Sequence, residues 1–271
     1  MSISKSPANR GPSSAARRPQ RAARSNGPDT PTQADIAANM IRESILDLSM
    51  GPGTRLDDKV LLRRFKVGRT PAREAMNRLA SEGLVEIQAN RGAFVLPLDI
   101  PLIQQFFDAY AASERLNGFF CQTREPGLIA DIERLQLEYE ATVAARQWLD
   151  TTRVNAALHL RIAEATRNRY VADLAARLHN QARRVSFFIY RMEAEDGQAL
   201  DEHQRRINVD HHDIVSALRR SDNAALVDVL TRHVLLFHAR IMRVLGATKG
   251  VSAPDPIRFG SITFRDTRFG K

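Results

Sequence analysis

Val67-Gly68-Arg69-Thr70-Pro71-Ala72-Arg73-Glu74-Ala75-Met76 opens a helix. Thr70 can cap it with its hydroxyl, and Pro71 suits the first helical position, where a missing N–H is not needed. The helix is expected to run through Met76, Leu79 and Ala80 and to stop near Gly83. Upstream, Asp57 to Phe65 fits a short helix with Asp57-Asp58 at its positive N-terminal end. Before it, Ile36, Met40, Ile41 and Ile45 recur at helical spacing from Gln33 onward, and Gly51-Pro52-Gly53 ends that helix. Downstream, Leu84-Val85-Glu86-Ile87 and Ala93-Phe94-Val95-Leu96 read as two short strands around a turn containing Asn90-Arg91-Gly92. Three helices followed by a β-hairpin outline a winged helix-turn-helix.

Beyond Pro97 and Pro101 the pattern turns wholly helical, over about 102–122, 127–148, 151–166, 170–194, 201–220 and 222–245. The last is the clearest, with Leu226, Leu230, His233, Phe237, Ile241 and Val244 along one stripe. The expected fold is therefore mostly α. A winged helix-turn-helix domain over 33–98 precedes an all-helical bundle of about six helices over 99–246. Residues 1–32, rich in Ser, Pro, Ala and Arg, bury too little apolar surface to offset ordering entropy and are expected to be a disordered basic tail. Residues 247–271 read as a C-terminal extension.

The chain of 271 residues carries a formal charge of +9, but the excess is uneven. Residues 1–32 contribute +5, whereas 33–98 hold ten basic and eight acidic residues and 99–246 sum to −1. Basicity of this size points to nucleic acid or another anionic surface. One cysteine, Cys121, excludes an intramolecular disulfide and suits a reducing cytoplasm. No run of about 18 apolar residues offers a membrane span, and no apolar stretch follows the basic N-terminus as a secretory signal would require. A cytoplasmic protein is expected.

In the first domain Arg69, Thr70 and Arg73 cluster at the start of the third helix, the end that a recognition helix pushes into the major groove. Arginine there can donate two hydrogen bonds to guanine, and the helix N-terminus with Thr70 can hold a phosphate. Lys59 would face the backbone, and Arg91 could enter the minor groove, with Gly92 allowing close approach. Asp57-Asp58-Lys59-Val60-Leu61, Arg69 to Ala75, Leu79-Ala80-Ser81-Glu82-Gly83-Leu84-Val85 and Asn90-Arg91-Gly92-Ala93-Phe94-Val95 together resemble the winged-helix domain of GntR-family transcriptional regulators. The resemblance implies that Lys59, Arg69, Thr70, Arg73, Arg91 and Gly92 lie at DNA-contact positions. Two departures stand out: Lys66 where the family usually has Gly, and Gly68 where it usually has Ser.

The seven histidines separate by geometry. Asn155 and His159 are four apart on one helix and point the same way. His211 shares a face with Ile214, Val215 and Leu218, and His233 lies in the apolar stripe above. Asn155, His159, His211 and His233 can therefore converge inside the bundle. Three imidazoles and one oxygen suit Zn, Ni, Mn or Fe(II) with positions left open; three hydrogen-bonded core histidines would give the same periodicity. Asn155 to His159, Ala163 to Asn168, Asp210 to Leu218 and Thr231-Arg232-His233 look like the FCD effector domain of the FadR subfamily. That resemblance implies a divalent metal held by an Asp and three His, with open positions for a small carboxylate. Here Asn155 replaces the Asp, so weaker or altered metal binding is expected. The family often places Arg four residues before a pocket Glu. If Glu114 is that Glu, Tyr110 takes the Arg position and both face the effector; otherwise Arg115 serves.

The expected protein is a homodimeric transcriptional regulator, not an enzyme. It binds double-stranded DNA at a pseudo-palindromic operator, more often as a repressor, and a small carboxylate effector controls it through the metal site. The alternatives are a regulator without metal or effector, and a metal-dependent hydrolase. The hydrolase needs a general base near metal-bound water, and Glu164 and Asp210 turn away from the ligand face.

Overall fold

The structure, a computed structural model, describes residues 31–194 and 197–247. The expectations for residues 1–30 and 248–271 lie outside the described residues. The Thr32 hydroxyl caps α1 (Gln33–Leu46) while the Asp35 carboxylate returns to the Thr32 N–H, a reciprocal pair that satisfies two otherwise unpaired donors. α1 ends at Leu46, several residues before Gly51-Pro52-Gly53, because Leu48 turns to a φ of 59°.

A two-residue strand β1 (Arg55–Leu56) follows, then α2 (Asp58–Phe65), capped by Asp57 through a 2.9 Å bond from the Val60 N–H. α3 (Arg69–Ser81) starts earlier than expected. Its N-cap is Gly68, so Thr70 lies inside the first turn and does not cap. β2 (Val85–Gln88) and β3 (Gly92–Val95) pair antiparallel, and β1 adds to the other edge of β3, giving the order β1-β3-β2. The sheet places alternate residues inward, so Leu56, Val85, Ala93 and Val95 join Ile41, Ile45, Leu61, Met76 and Leu79 in one core.

The helical part comprises α4 (Ile100–Phe120), α5 (Leu128–Ala144), α6 (Trp148–Glu164), α7 (Arg169–Met192), α8 (Gly197–Arg219) and α9 (Asn223–Ala247). The expected helices coincide with these to within a few residues. α4 begins at an Asp99 cap, worth about 1 kcal/mol for a residue of this kind. It crosses α9 so closely that a Cβ on Gly118 would lie 2.9 Å from the Val227 N atom; only glycine fits there. Asn223, at the start of α9, donates from Nδ2 to the Gly118 and Cys121 carbonyls at 2.8 and 2.9 Å, closing the C-terminal turn of α4. α6 packs between α5 and α7, and α8 lies against α5 and α9. Leu128, Ile132, Leu158, Ile214 and Leu226 fill one half of the core and Phe107, Val185, Ile189 and Ile241 the other. Among the described residues no helix is long and apolar enough to cross a membrane.

Candidate metal centre and nucleic-acid interface

The first cluster lies where α2, α3 and the wing meet. Lys59, Arg69, Arg73 and Gly92 line one groove there, together with Asn77 and Ile87, which the sequence reading did not single out. Thr70 and Arg91 are exposed but do not form its wall. Arg69 projects with its side chain 86% exposed and its Nε 3.0 Å from Asp58 Oδ2. The Arg91 guanidinium lies 5.9 Å over the Phe94 ring, which orients it along the wing. The wing turn needs positive φ at Asn90 (61°) and Gly92 (101°). Lys66 also takes a left-handed conformation, at φ 58°, which explains why a glycine suits that position elsewhere. Gly68 leaves the first turn of α3 without a side-chain cap.

The second cluster is built from the inward faces of the bundle. α6 supplies Asn155 and His159, α8 supplies His211, and α9 supplies His233. The three imidazoles are buried, with ring centroids 5.0 to 5.8 Å apart, and one ligand nitrogen from each lies within 4.8 Å of the others. Two of the rings have an acceptor hydrogen-bonded at Nδ1, and the third, His233, has a carboxylate near its Nδ1 but no hydrogen bond there. His159 Nδ1 is 2.9 Å from Glu114 Oε2, His211 Nδ1 is 2.6 Å from Gln136 Oε1, and His233 Nδ1 is 3.4 Å from Asp210 Oδ2. A proton held on Nδ1 by such an acceptor leaves the Nε2 lone pair available. His159 Nε2 and His211 Nε2 are in fact buried with no hydrogen-bond partner, and so is Asn155 Oδ1. Buried orphan acceptors cost about 1–3 kcal/mol each, so this donor set fits a divalent cation and is costly without one.

The electrostatics at His211 and His233 favour the neutral rings that metal binding requires. Burial pushes His211 well below the ordinary histidine pKa, and the neighbouring imidazoles add to the shift. Burial also lowers His233, outweighing the opposing effect of Asp210. Burial alone would raise Glu114, yet the imidazoles of His159 and His179 hold its carboxyl well below the usual carboxylate range.

Glu114 is not on the cavity wall. Its Oε1 accepts from Asn117 Nδ2 and lies 3.0 Å from His179 Nε2, while its other oxygen backs His159. Tyr110 does line the cavity beside Asn155 and His233, and its hydroxyl lies 3.4 Å from His179 Nδ1. Two histidines missed by the sequence reading therefore matter. His179 belongs to a second buried trio with Glu114 and His159, and His203 lines the cavity. The cavity is small, about 30 Å³, room for a water or two. Among the described residues no lysine, arginine or carboxylate side chain lines it.

Two family models match the chain: "Bacterial regulatory proteins, gntR family" over residues 33–95, and the FCD domain over residues 118–236. The HTH-type transcriptional repressor RspR of Escherichia coli K12 is 24% identical over 208 residues, covering 72% of this chain and 82% of that protein. The Nta operon transcriptional regulator of Aminobacter aminovorans is 31% identical over 106 residues, 33% of this chain and 50% of that one. A solved GntR transcriptional regulator from Rhodococcus sp. RHA1 shares the fold with a TM-score of 0.62 at 20% identity, covering 79% of this chain and 98% of its own. E. coli McbR/YncC does so with a TM-score of 0.59 at 16% identity, covering 80% and 99%. These families and relatives are transcriptional regulators, not enzymes. The chain is a transcriptional regulator of the gntR family, with an FCD domain following its winged helix.

Proposed function

We propose that this regulator is a cytoplasmic, homodimeric repressor whose grip on a pseudo-palindromic operator is controlled by a small carboxylate bound at a divalent metal in the helical bundle. Recognition belongs to residues 33–98, effector binding and dimerisation to 99–246. The observation that carries the metal assignment is the convergence of His159, His211 and His233, the first two with an acceptor hydrogen-bonded at Nδ1 and an unpartnered Nε2. Asn155, one turn before His159, supplies a neutral oxygen where the family has a carboxylate. The cation, when bound, supplies a Lewis-acidic acceptor for an anionic oxygen. Among the described residues no cationic side chain is on the cavity wall; that acceptor is therefore where the effector's charge is held, and Tyr110 offers a hydroxyl for the remainder. The cavity's volume means that any ligand larger than a few atoms requires the surrounding helices to part.

On the DNA side, Arg69 and Arg73 read bases, Thr70 and the start of α3 hold a phosphate, Lys59 contacts the backbone, and Arg91 with Gly92 enters the minor groove. The groove that holds Lys59, Arg69, Arg73 and Gly92 supports this assignment. Repression is supported by the likeness to the transcriptional repressor RspR. Effector and operator favour different dimer geometries, so each weakens the other's binding by the same factor. The test is footprinting on the source genome, followed by operator titration with zinc-loaded and chelator-treated protein across a panel of small acids. Operator release by one acid, only in metal-loaded protein, supports the proposal; acid-independent binding contradicts effector control.

A further inference from the structure

Helix α7 has two working faces. On one, His179 meets the Glu114 carboxylate that backs His159, and Ala182, Ser186 and Ile189 form part of the cavity wall. On the other, Gln181 donates from Nε2 to the Gly83 carbonyl and Arg184 donates from Nη2 to the Leu96 carbonyl. Gly83 ends the recognition helix with a φ of 73°, and Leu96 follows the last wing strand and leads into α4. The two carbonyls belong to adjacent chain segments, since the Leu96 N–H donates to the Leu84 carbonyl at 3.0 Å.

Arg184 is an expensive residue to keep in this position. Its side chain is fully buried, its Nε has no partner, and among the described residues no carboxylate pairs with it. Burial pushes its guanidinium down to about 10, still protonated at neutral pH. A buried cation served by carbonyl and amide oxygens alone weakens a fold compared with an apolar side chain of the same volume. What it supplies is a directional hold on backbone groups that no apolar residue can make.

We infer that Gln181 and Arg184 are positioning residues that fix α7 to the joint of the winged helix, so that a change at the Glu114–His159 site moves the base of the recognition helix and wing. This inference rests on the proposed metal site, and it makes α7 the two-state element that both sites bias.

The test is hydrogen–deuterium exchange of the full chain, read at the amides of residues 84–96, with Zn2+ alone as the probe and zinc content measured on the same samples. In the wild type, zinc binding is expected to change exchange of this segment by about fivefold or more. In Arg184→Met the same amount of zinc binds and the change is lost. Gln181→Met gives a second variant should Arg184→Met not fold. An unchanged zinc response in both variants, or no response in zinc-loaded wild type, overturns the inference. If no zinc binds, the metal assignment fails by itself. Coupling is then read with His179→Gln, which should alter exchange at 84–96 in the wild type and not in Arg184→Met. A purely structural Arg184 would give additive effects and overturn it too.

Discussion

Glu114 Oε2 lies 2.9 Å from Nδ1 of His159, and both side chains are fully excluded from solvent. This contact fixes which ring nitrogen carries the proton and so which one faces the other two imidazoles. Glu114→Gln removes the carboxylate while keeping the shape. Zinc affinity measured by competition with a chromogenic chelator is expected to fall about 10- to 100-fold, the range for partners of this kind. Asn155→Asp should move affinity the other way, because it returns a negative charge beside the cation. Unchanged affinity in Glu114→Gln would remove Glu114 from the metal site.

Arg69 is held 3.0 Å from Asp58 in the free protein, at side chains 86% and 55% exposed, so this pair adds little stability and can open when DNA arrives. Arg69→Ala and Arg73→Ala should each cost about 1–3 kcal/mol on the operator and relax preference at one base position. The check is affinity on the operator, single-base variants and random duplex at fixed salt. Equal losses on all three would show phosphate contacts only.

The two departures around α3 each cost local stability, and one experiment can read both. Lys66 sits at φ 58°, where a Cβ costs about 1 kcal/mol, and Lys66→Gly should raise stability by a similar amount. Gly68 has an ordinary φ of −72° and open space where a Cβ would lie, so Gly68→Ser should add a cap and a few tenths of a kcal/mol. Urea titration of each variant reads both. A loss in either contradicts the backbone account.

Burial, with the cations of Arg240 and Arg243 nearby, pushes His203 down to about 3 from an ordinary value of 6.5. Between those values the unfolded chain binds a proton that the folded chain does not. The stability this provides is complete above pH 6.5 and drains away as pH falls towards 3. From pH 6.5 to 5 the loss from this residue is about 2 kcal/mol, added to losses of the same sign from His211 and His233 in metal-free protein. His203→Gln should flatten the pH dependence of the urea midpoint over that interval; an equally steep profile would contradict the burial argument.

Much of this architecture was legible in the sequence because its signals are local. The stripe through Leu226, Leu230, His233 and Phe237 marks α9, and Asp57 announces the helix it caps. Thr70-Pro71 misled by two residues, because the chain enters α3 through Gly68, which has no side chain to advertise a cap. β1 is too short to show a period, and only its pairing with β3 reveals it. His179 had a usable signal. It stands four after Ala175 and three before Ala182 on the buried face of α7, the same spacing that singled out His233. That it would meet Glu114 was not readable, since the packing of α4 on α7 is tertiary. The same holds for Arg184: nothing in the order of residues says that an arginine on a helix will be wholly buried against the Leu96 carbonyl.

The most direct measurement is calorimetric titration of chelator-treated protein with Zn2+, wild type beside His211→Ala. His211 is fully buried, with its Nε2 unpartnered. Wild type is expected to take up one zinc per chain and His211→Ala none, with both proteins folded by circular dichroism. Wild-type protein that binds no zinc, or a variant that binds it as well, would contradict the metal assignment.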